Sequence, residues 1–306
     1  MRDESRPALP VNGQGGLSSL NGRNGAHPEA ATAATAATKA LPRNLAVKCP
    51  NCRELLVGKD WEKNLRVCVR CGYHSRLSAR ERIELLFDAD SFEAFAADLH
   101  SADPLGFVSR AQAYPAYLAD YRERAGTDEA VVVGRARMDG LPVIAAVMDS
   151  NFVGGSMGSV VGERVTQAIE RATEERIPLL IAVTSGGARM QEGMFALMQM
   201  AKTAAALARL AERGVPFICL LTDPTTGGVW ASFASLADVI VAEPGAMVGF
   251  AGPRVIEQFM HQRLPKDTAT AEFALKHGMI DAVAHRRDVR PMLVRLLRMF
   301  GADQPA

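Results

Sequence analysis

The chain has 306 residues, 48% of them hydrophobic, and a formal net charge of +1 at pH 7. This length allows one large domain or two smaller ones with a sizeable core, and the near-neutral charge gives the whole chain no bias towards nucleic acid or a membrane surface. No apolar run approaches the ~20 residues of a membrane span, and the N-terminus lacks an apolar signal core. These features predict a cytoplasmic protein without membrane insertion.

Residues 1–43 have the composition of a disordered tail. Residues 12–25 are rich in Gly, Asn and Ser, and residues 30–38 read Ala-Ala-Thr three times. Neither segment has an amphipathic face to bury. We expect a disordered tail here, and a frayed C-terminus at residues 301–306.

Two cysteine pairs follow the tail. They are Cys-x-x-Cys motifs separated by fifteen residues, formed by Cys49, Cys52, Cys68 and Cys71. In a reducing compartment this pattern favours metal over a disulfide, although a redox pair or four unrelated thiols are the alternative interpretations. The spacing predicts a four-cysteine zinc ribbon over residues 44–78 with one structural Zn²⁺. Because four cysteines complete such a site, His74 is expected to be a surface or packing residue.

The ribbon is basic. Residues 43–82 carry ten Lys and Arg against four Asp and Glu. This surface could be simply solvated, could contact the phosphates of a large anionic ligand, or could contact a nucleic acid backbone. The sequence leaves all three open.

Residues 79–129 read as a helical connector. Ser78 and Glu81 form the capping-box pattern that begins a helix, and residues 91–99 carry a second apolar face. Three aromatic residues in the next segment are expected to pack on the following domain: Tyr114, Tyr117 and Tyr121.

The larger domain is predicted at residues 130–300. It begins with strands at residues 131–133 and 143–147, joined by a hairpin turn at Asp139-Gly140. Three units of strand, Gly-Gly and helix follow, an arrangement typical of a repeated β-α architecture. Their glycine pairs are Gly154-Gly155, Gly186-Gly187 and Gly227-Gly228, and the helices after them are expected at residues 160–176, 188–212 and 228–237.

The remaining elements are shorter. We expect strands at residues 239–242 and 246–250 and helices at residues 254–261 and 273–277. A last amphipathic helix over residues 290–300 is a candidate interface element.

The glycine pairs are the candidate functional site. A glycine lets a ligand approach bare backbone, and the first amides of a helix point towards negative charge. Such a turn can hold an oxyanion. For a single pair a tight turn or a packing contact is the favoured interpretation, whereas three pairs at equivalent places are equally consistent with a binding role.

Side-chain chemistry is scarce. The chain has no GxxxxGK[ST] and no His-Glu-x-x-His motif. Cys219 lies in an apolar run and is expected to be a buried thiol. Glu192 and Asp223 lie near the glycine turns and could be bases or helix caps. An enzyme built this way would use mostly backbone amides.

Taken together, several short motifs closely resemble the bacterial acetyl-CoA carboxylase carboxyltransferase β subunits, from about Leu45 to Phe300. The resemblance lies in their order and density. The motifs are the two cysteine pairs, Gly154-Gly-Ser-Met-Gly-Ser-Val-Val-Gly162, Ser185-Gly-Gly-Ala-Arg-Met-Gln191, Leu197-Met-Gln-Met-Ala-Lys-Thr203, Thr222-Asp-Pro-Thr-Thr-Gly-Gly228 and Val248-Gly-Phe-Ala-Gly-Pro-Arg-Val-Ile-Glu257.

The resemblance implies an α/β fold, a crotonase-like (ClpP/crotonase) β-β-α superhelix with the zinc ribbon at its N-terminus. It also implies a reaction. Carboxybiotin on a separate carrier gives its carboxyl group to acetyl-CoA and forms malonyl-CoA, the first committed step of fatty acid synthesis. Carboxybiotin releases CO2, the biotin ureido anion removes a proton from the acetyl methyl group, and the enolate attacks CO2.

The resemblance also implies site residues and partners. The amides of Gly186, Gly187, Gly227 and Gly228 would bind the thioester enolate oxygen, and Arg189 would bind a CoA phosphate or brace the turn. Partners would be a homologous α subunit in an α2β2 complex, the biotin carboxyl carrier protein and the ATP-dependent biotin carboxylase. The chain has no Met-Lys-Met biotinylation site, so biotin must arrive on another chain.

Some positions depart from the family pattern. Trp230 stands where a small residue is usual, residues 264–272 are less typical, and the N-terminal tail is an addition. A paralogue that acts on another acyl-CoA is therefore an alternative, and we expect Trp230→Ser to keep activity and change the ratio of acetyl-CoA to propionyl-CoA use. Another crotonase-fold enzyme, such as a hydratase, would leave the ribbon unexplained.

Overall fold

The computed structural model describes residues 45–302, except for residues 110, 111, 262 and 264–266. The predicted tail at residues 1–43 lies outside the described residues, as do the last four residues of the predicted frayed terminus.

The ribbon is a small module with its own core. Strands β1 (Ala46–Lys48) and β2 (Leu55–Val57) pair antiparallel, and helix α1 (Gly58–Lys63) follows. Its core contains Leu56, Trp61 and two of the cysteines, Cys49 and Cys68. A core this small gains much of its stability from a bound metal.

One eight-stranded sheet organises the rest of the described chain. Its strands are β3 (Glu93–Phe95), β6 (Val131–Met138), β7 (Leu141–Met148), β8 (Leu179–Ser185), β9 (Phe217–Thr226), β10 (Val239–Ala242), β11 (Val248–Gly249) and β12 (Ala282–Val283), while β4 (Val108–Ser109) and β5 (Gln112–Ala113) form a separate hairpin. The strand order in the sheet is β12-β10-β9-β8-β7-β6-β3, and β11 pairs with β9. The pairs β3–β6 and β6–β7 are antiparallel and the others are parallel.

Helices cover both faces of this sheet. They are α2 (Ala79–Leu86), α3 (Tyr114–Ala125), α4 (Ser159–Glu175), α5 (Met194–Glu212), α6 (Gly227–Trp230), α7 (Pro253–Met260), α8 (Ala271–Lys276) and α9 (Arg286–Met299). Alternate residues of β8 enter different cores: Ile181 joins the core of α4 and α5, and Leu180 joins the core of α2 and α9. Burial on both faces explains why the parallel strands are continuous apolar runs.

Several local predictions are confirmed. Asp139 and Gly140 both have positive φ, 55° and 77°, as a two-residue hairpin turn requires. The side chain of Ser78 accepts a hydrogen bond from the amide of Glu81, and the Glu81 carboxylate accepts one from the amide of Ser78, which completes the capping box. Tyr114 is buried in the core of α4 and α5.

The connector over residues 79–129 is not helical throughout, contrary to the prediction. It contains the edge strand β3 and the β4–β5 hairpin between its two helices. Strand β3 can lie on β6 because Gly134 leaves room there: a Cβ at Gly134 would lie 2.5 Å from the ring of Phe92.

The predicted boundaries of two helices that follow glycine pairs, and of the last helix, are also wrong. Helix α5 begins at Met194 and not near residue 188, because Gly193 has φ 52° and ψ −127°. The helix predicted over residues 228–237 is only the four-residue α6, since Ser232 is non-helical with φ −123° and ψ −110°. The last helix begins at Arg286, four residues before the predicted start.

Candidate functional site

The four predicted zinc ligands converge. The sulfur atoms of Cys49 and Cys71 are 3.8 Å apart, those of Cys52 and Cys68 are 3.8 Å apart, and all four lie within 4.8 Å of one another. Sulfurs bound at about 2.3 Å to a tetrahedral zinc lie about 3.8 Å from one another. The donor set therefore fits a closed structural Zn²⁺ site.

His74 is a packing residue, as expected. Its Nδ1 lies 3.0 Å from the carbonyl oxygen of Gly72, and its Nε2 accepts a hydrogen bond of 3.2 Å from the amide of Arg286. Burial of the ring lowers the pKa of His74 to about 4, which keeps Nε2 available as an acceptor. Arg286 also donates to the carbonyls of Leu65 and Ser75, so these contacts fasten the ribbon segment to α9.

Zinc removal should unfold the ribbon and leave the sheet folded. A chelator leaves four thiols around a very small core. We expect one zinc per chain by elemental analysis, and fast hydrogen exchange after chelation at residues 46–72 but not at β7–β9. Re-addition of zinc should restore protection. Unchanged exchange in the ribbon after complete zinc loss would contradict a structural site.

Contact of the basic ribbon with nucleic acid stays a prediction.

Two glycine turns touch at the ends of β8 and β9. A Cβ at Gly227 would lie 2.9 Å from the Cα of Gly187, and a Cβ at Gly187 would lie 3.3 Å from the Cα of Gly227. Both residues have positive φ, 114° at Gly187 and 64° at Gly227. The glycines at these two positions are therefore required by close backbone approach and by conformation.

Most of the predicted oxyanion donors already have partners. The amide of Gly186 donates to the carbonyl of Gly154 at 3.0 Å, that of Gly187 to the Ser185 hydroxyl at 3.0 Å, and that of Gly227 to the carbonyl of Phe250 at 2.8 Å. Their predicted role as donors to a ligand does not fit these bonds. These three glycines shape the turns instead.

Two other amides at these turns lack such bonds. Among the residues that the structure describes, no atom accepts a hydrogen bond from the amide of Ala188. Gly228 is the second residue of α6, where an amide has no carbonyl partner within its helix. A Cβ at Gly228 would lie 3.7 Å from the Cβ of Ala188, so the two residues are neighbours. Sequence reasoning predicted Gly228 and missed Ala188, whose side chain gave no signal.

The third glycine unit supports these turns from one side. The amide of Met157 donates to the carbonyl of Gly187 at 2.8 Å, and the amide of Arg189 donates to the carbonyl of Met157 at 2.9 Å. Gly155 has φ 70°, and a Cβ there would overlap the carbonyl oxygen of Thr184. All three Gly-Gly units therefore meet at one site.

Arg189 is a brace of the turn. Its guanidinium is fully buried and makes two contacts with the Glu129 carboxylate, at 2.5 and 3.1 Å. It also donates to the carbonyl of Ser156 at 2.8 Å. Burial alone would lower the pKa of Arg189, but the Glu129 charge outweighs this and raises it. Binding of a CoA phosphate, the other predicted role, does not fit a guanidinium enclosed in this way.

The two acidic candidates are also held in place. The Glu192 carboxylate accepts hydrogen bonds from the Tyr114 hydroxyl at 2.7 Å and from the amide of Ser159, the first residue of α4, at 2.6 Å. It is therefore a helix cap, one of its two predicted roles. Asp223 pairs with Arg76 at 3.3 Å and accepts from a backbone amide. Neither carboxylate is free to act as a base at the turn.

Two large or reactive side chains near the site belong to the core. Cys219 is fully buried, and burial raises the pKa of its thiol, which confirms the predicted core role. Trp230 is 7% exposed and packs in the core of α4 and α5. Trp230→Ser would therefore also create a cavity, a change that typically costs about 3–5 kcal/mol for an aromatic residue. Its effect on acyl preference stays a prediction.

An apolar surface lies beside the site. The helix at residues 188–212 was predicted from an apolar repeat at helical spacing, and this repeat falls on the exposed side: Met190, Met194, Leu197, Met198, Ala201, Ala205 and Ala208. The core side of α5 is formed by other residues, such as Leu207 and Leu210. We define the α5 face as five large residues that are 43–70% exposed: Met190, Met194, Phe195, Leu197 and Met198. A contiguous apolar face of this kind is typical of a protein interface.

In the part of the chain that the structure describes, no helix is long and apolar enough to cross a membrane.

Comparisons with known proteins agree on one family. Residues 73–297 match the family of carboxyl transferase domains. The β subunit of acetyl-coenzyme A carboxylase carboxyl transferase from Herpetosiphon aurantiacus is 55% identical over 260 residues, which are 85% of this chain and 87% of the relative. The subunit of the same name from Desulfitobacterium hafniense is 52% identical over 85% of this chain and 84% of the relative.

Solved structures give the same result. Transcarboxylase 12S with methylmalonyl-coenzyme A bound matches with a TM-score of 0.62 and 27% identity over 78% of this chain. The chain spans only 42% of the length of that protein. The MdcD–MdcE heterodimer of Pseudomonas malonate decarboxylase matches with a TM-score of 0.56 and 27% identity, over 74% of this chain and 86% of the matched chain.

Proposed function

The chain belongs to the carboxyl transferase family, and we propose that it is the β-type subunit of an acetyl-CoA carboxyl transferase. It would move a carboxyl group from carboxybiotin on a carrier protein to acetyl-CoA and form malonyl-CoA. The crotonase-like α/β fold with an N-terminal ribbon, predicted from the sequence, is confirmed. The observation that carries the proposal is the pair of touching glycine turns that bring together Ala188 and Gly228, the two residues there whose amides have no acceptor among the described residues.

These two amides would bind the thioester oxygen of acetyl-CoA. When the acetyl methyl group loses a proton, negative charge develops on this oxygen, and fixed N–H donors stabilise it. One such donor typically contributes about 2.7–4 kcal/mol to transition-state stabilisation. Gly187 and Gly227 hold the two turns in contact, so the donors need no rearrangement during the reaction.

The proton acceptor would come from outside the chain. Glu192 and Asp223 are engaged as a helix cap and in an ion pair, so neither is offered to the acetyl group. Carboxybiotin, when bound, supplies the carboxyl group and then the base. The task of this chain is to hold the thioester oxygen and the acetyl group in place.

The biotin side of the site would come from a homologous carboxyl transferase α subunit in an α2β2 complex. Two facts support this partner: transcarboxylase 12S is more than twice as long as the matched region, and the malonate decarboxylase match is a heterodimer. The α5 face is the surface we assign to this contact, because it is apolar and directly follows the glycine turn. Loading of biotin would need the carrier protein and biotin carboxylase.

A charge on the α5 face should prevent assembly. Met194 is 65% exposed, and Met194→Glu would place a carboxylate in an apolar interface. We expect sedimentation to show separate subunits at concentrations where the unaltered chain forms the complex. Met299, 81% exposed at the end of α9, gives the matched control Met299→Glu, which should assemble normally. Equal assembly of both variants would place the interface elsewhere.

The proposed activity is tested by carboxyl transfer in the forward direction. The zinc-loaded chain is mixed with the homologous α subunit, acetyl-CoA and a carrier protein carrying labelled carboxybiotin. We expect labelled malonyl-CoA only when both subunits are present. Failure of a folded, assembled complex to label malonyl-CoA, while it labels another acyl-CoA, would favour the specialised paralogue.

A further inference from the structure

We infer that Met200 forms one wall of the acyl pocket and limits the size of the acyl group that the site accepts. The inference rests on the proposed function, because it assigns a specificity-determining residue within the same site. Met200 lies on α5 but is not one of the residues of the α5 face. Its half-buried side chain packs against the core of α4 and α5.

The Met200 side chain occupies the space that a side chain at Gly228 would need. A Cβ at Gly228 would lie 2.7 Å from the sulfur of Met200 and 3.4 Å from its Cγ. The same point is 3.7 Å from the Cβ of Ala188. The thioether therefore fills the space directly against the Cα of Gly228, on the side shared with Ala188.

This position is next to the expected place of the acyl group. A thioester oxygen that accepts hydrogen bonds from the Ala188 and Gly228 amides lies about 2.9 Å from both nitrogens. The first alkyl carbon is only two bonds from that oxygen, so it lies within van der Waals reach of the side chains that flank the amides. Those side chains are the Ala188 methyl group and the Met200 thioether, both apolar.

The chemistry of this wall fits a short, apolar acyl group. An acetyl methyl group leaves the thioether where it is, whereas a propionyl group carries one more carbon into the same space. A methionine can move to admit it, because its unbranched side chain is flexible. The expected result is a preference for acetyl-CoA over propionyl-CoA and not complete exclusion.

Shortening Met200 should relax this preference. One methylene in an apolar pocket changes specificity about 10- to 200-fold. We expect Met200→Ala to raise kcat/KM for methylmalonyl-CoA relative to malonyl-CoA by at least about 10-fold, measured as carboxyl transfer to biocytin by the assembled complex. Met299→Ala is the matched methionine control and should leave the ratio unchanged. Met200→Val is made in parallel, in case the alanine variant does not fold.

A second variant pair tests the contact itself. Gly228→Ala should lower activity with malonyl-CoA, because its methyl group would take the place of the Met200 sulfur and push the thioether towards the acyl group. Adding Met200→Ala should restore most of that loss, since Gly228 has no positive φ and its next contact, Ala188, is at an ordinary distance. Circular dichroism and melting curves identify folded variants.

The outcomes separate the inference from the proposed function. No turnover of malonyl-CoA by the unaltered complex would overturn the proposed function. Turnover by the unaltered complex, with the same substrate ratio in folded Met200→Ala or Met200→Val, would overturn the inference alone. An absence of rescue in the folded double variant would equally overturn it, since relief of the collision is what the contact predicts.

Discussion

Replacing Arg189 with leucine should lower the free energy of unfolding by about 3–5 kcal/mol, because it leaves the Glu129 carboxylate buried without its partner. Both side chains of this pair are at most 1% exposed. Burial alone would raise the pKa of the Glu129 carboxyl, but the Arg189 guanidinium outweighs it and holds the pKa below its ordinary value. The contribution of the pair is therefore present at neutral pH and is lost as the pH falls through that lowered pKa.

The same change should impair catalysis in the molecules that stay folded. Arg189 holds loop residue Ser156 and, through its own amide, Met157 against the glycine turn. Urea unfolding measures the stability, and transfer assays well below the melting temperature measure the activity. The control is Arg80→Leu, which removes an exposed i,i+4 pair with Glu84 and should cost at most about 1 kcal/mol. Equal losses in the two variants would show that the buried pair is not a brace.

Gly155→Ala should reduce transfer activity about 100-fold or more, since a displacement of about 1 Å at reacting groups can have that effect. A methyl group at residue 155 overlaps the carbonyl of Thr184, so the loop or the end of β8 must move. That movement would shift the turn that presents the Ala188 amide. The loss should appear mainly in kcat, because the transition-state contact to the oxygen is the one displaced.

The neighbouring glycine provides a matched control. Gly154 also has a positive φ, 64°, but a Cβ there would meet no atom within 4 Å. Gly154→Ala therefore carries the conformational cost of a left-handed alanine, about 1–2 kcal/mol, without the collision. Activity should stay within a few-fold of the unaltered chain. If Gly154→Ala and Gly155→Ala lost the same activity, conformation and not displacement of the turn would be responsible.

The sequence was sufficient where local chemistry determines the structure. The convergence of the four cysteines follows from their spacing, and the hairpin at Asp139-Gly140 follows from turn residues that accept positive φ. A tight turn or a packing contact at Gly187 and Gly227 was one of the two interpretations that the sequence left open, and the close approach of the two turns fits it. Each of these features depends on a few neighbouring residues.

The free amides could not be predicted, because partners distant in the sequence decide which are free. Gly227 donates to Phe250, and Gly186 donates to Gly154, residues that only the fold brings together. The role of Arg189 depends in the same way on Glu129, sixty residues earlier in the chain. That contact was needed to decide whether Arg189 binds a CoA phosphate or braces the turn.

The sequence did not show which side of α5 faces the core, and the reason is a different one. An apolar repeat at helical spacing shows that one face avoids water, but it does not distinguish the core from a partner subunit. In α5 the repeat that includes Met194 and Met198 is exposed, while small residues such as Ala196 and Ala206 face the core. Only the packing of its other side against α4 and the core reveals that this repeat is free to contact another protein.

The reverse reaction tests the central claim, that this chain carries the acyl-CoA half of a divided carboxyl transferase site. It needs neither ATP nor a carrier protein: the zinc-loaded chain and its homologous α subunit are mixed with malonyl-CoA and biocytin, and acetyl-CoA is followed. We predict turnover with both subunits together and none with either one alone. Full turnover by one subunit alone, or none from a folded and assembled complex, would contradict the claim.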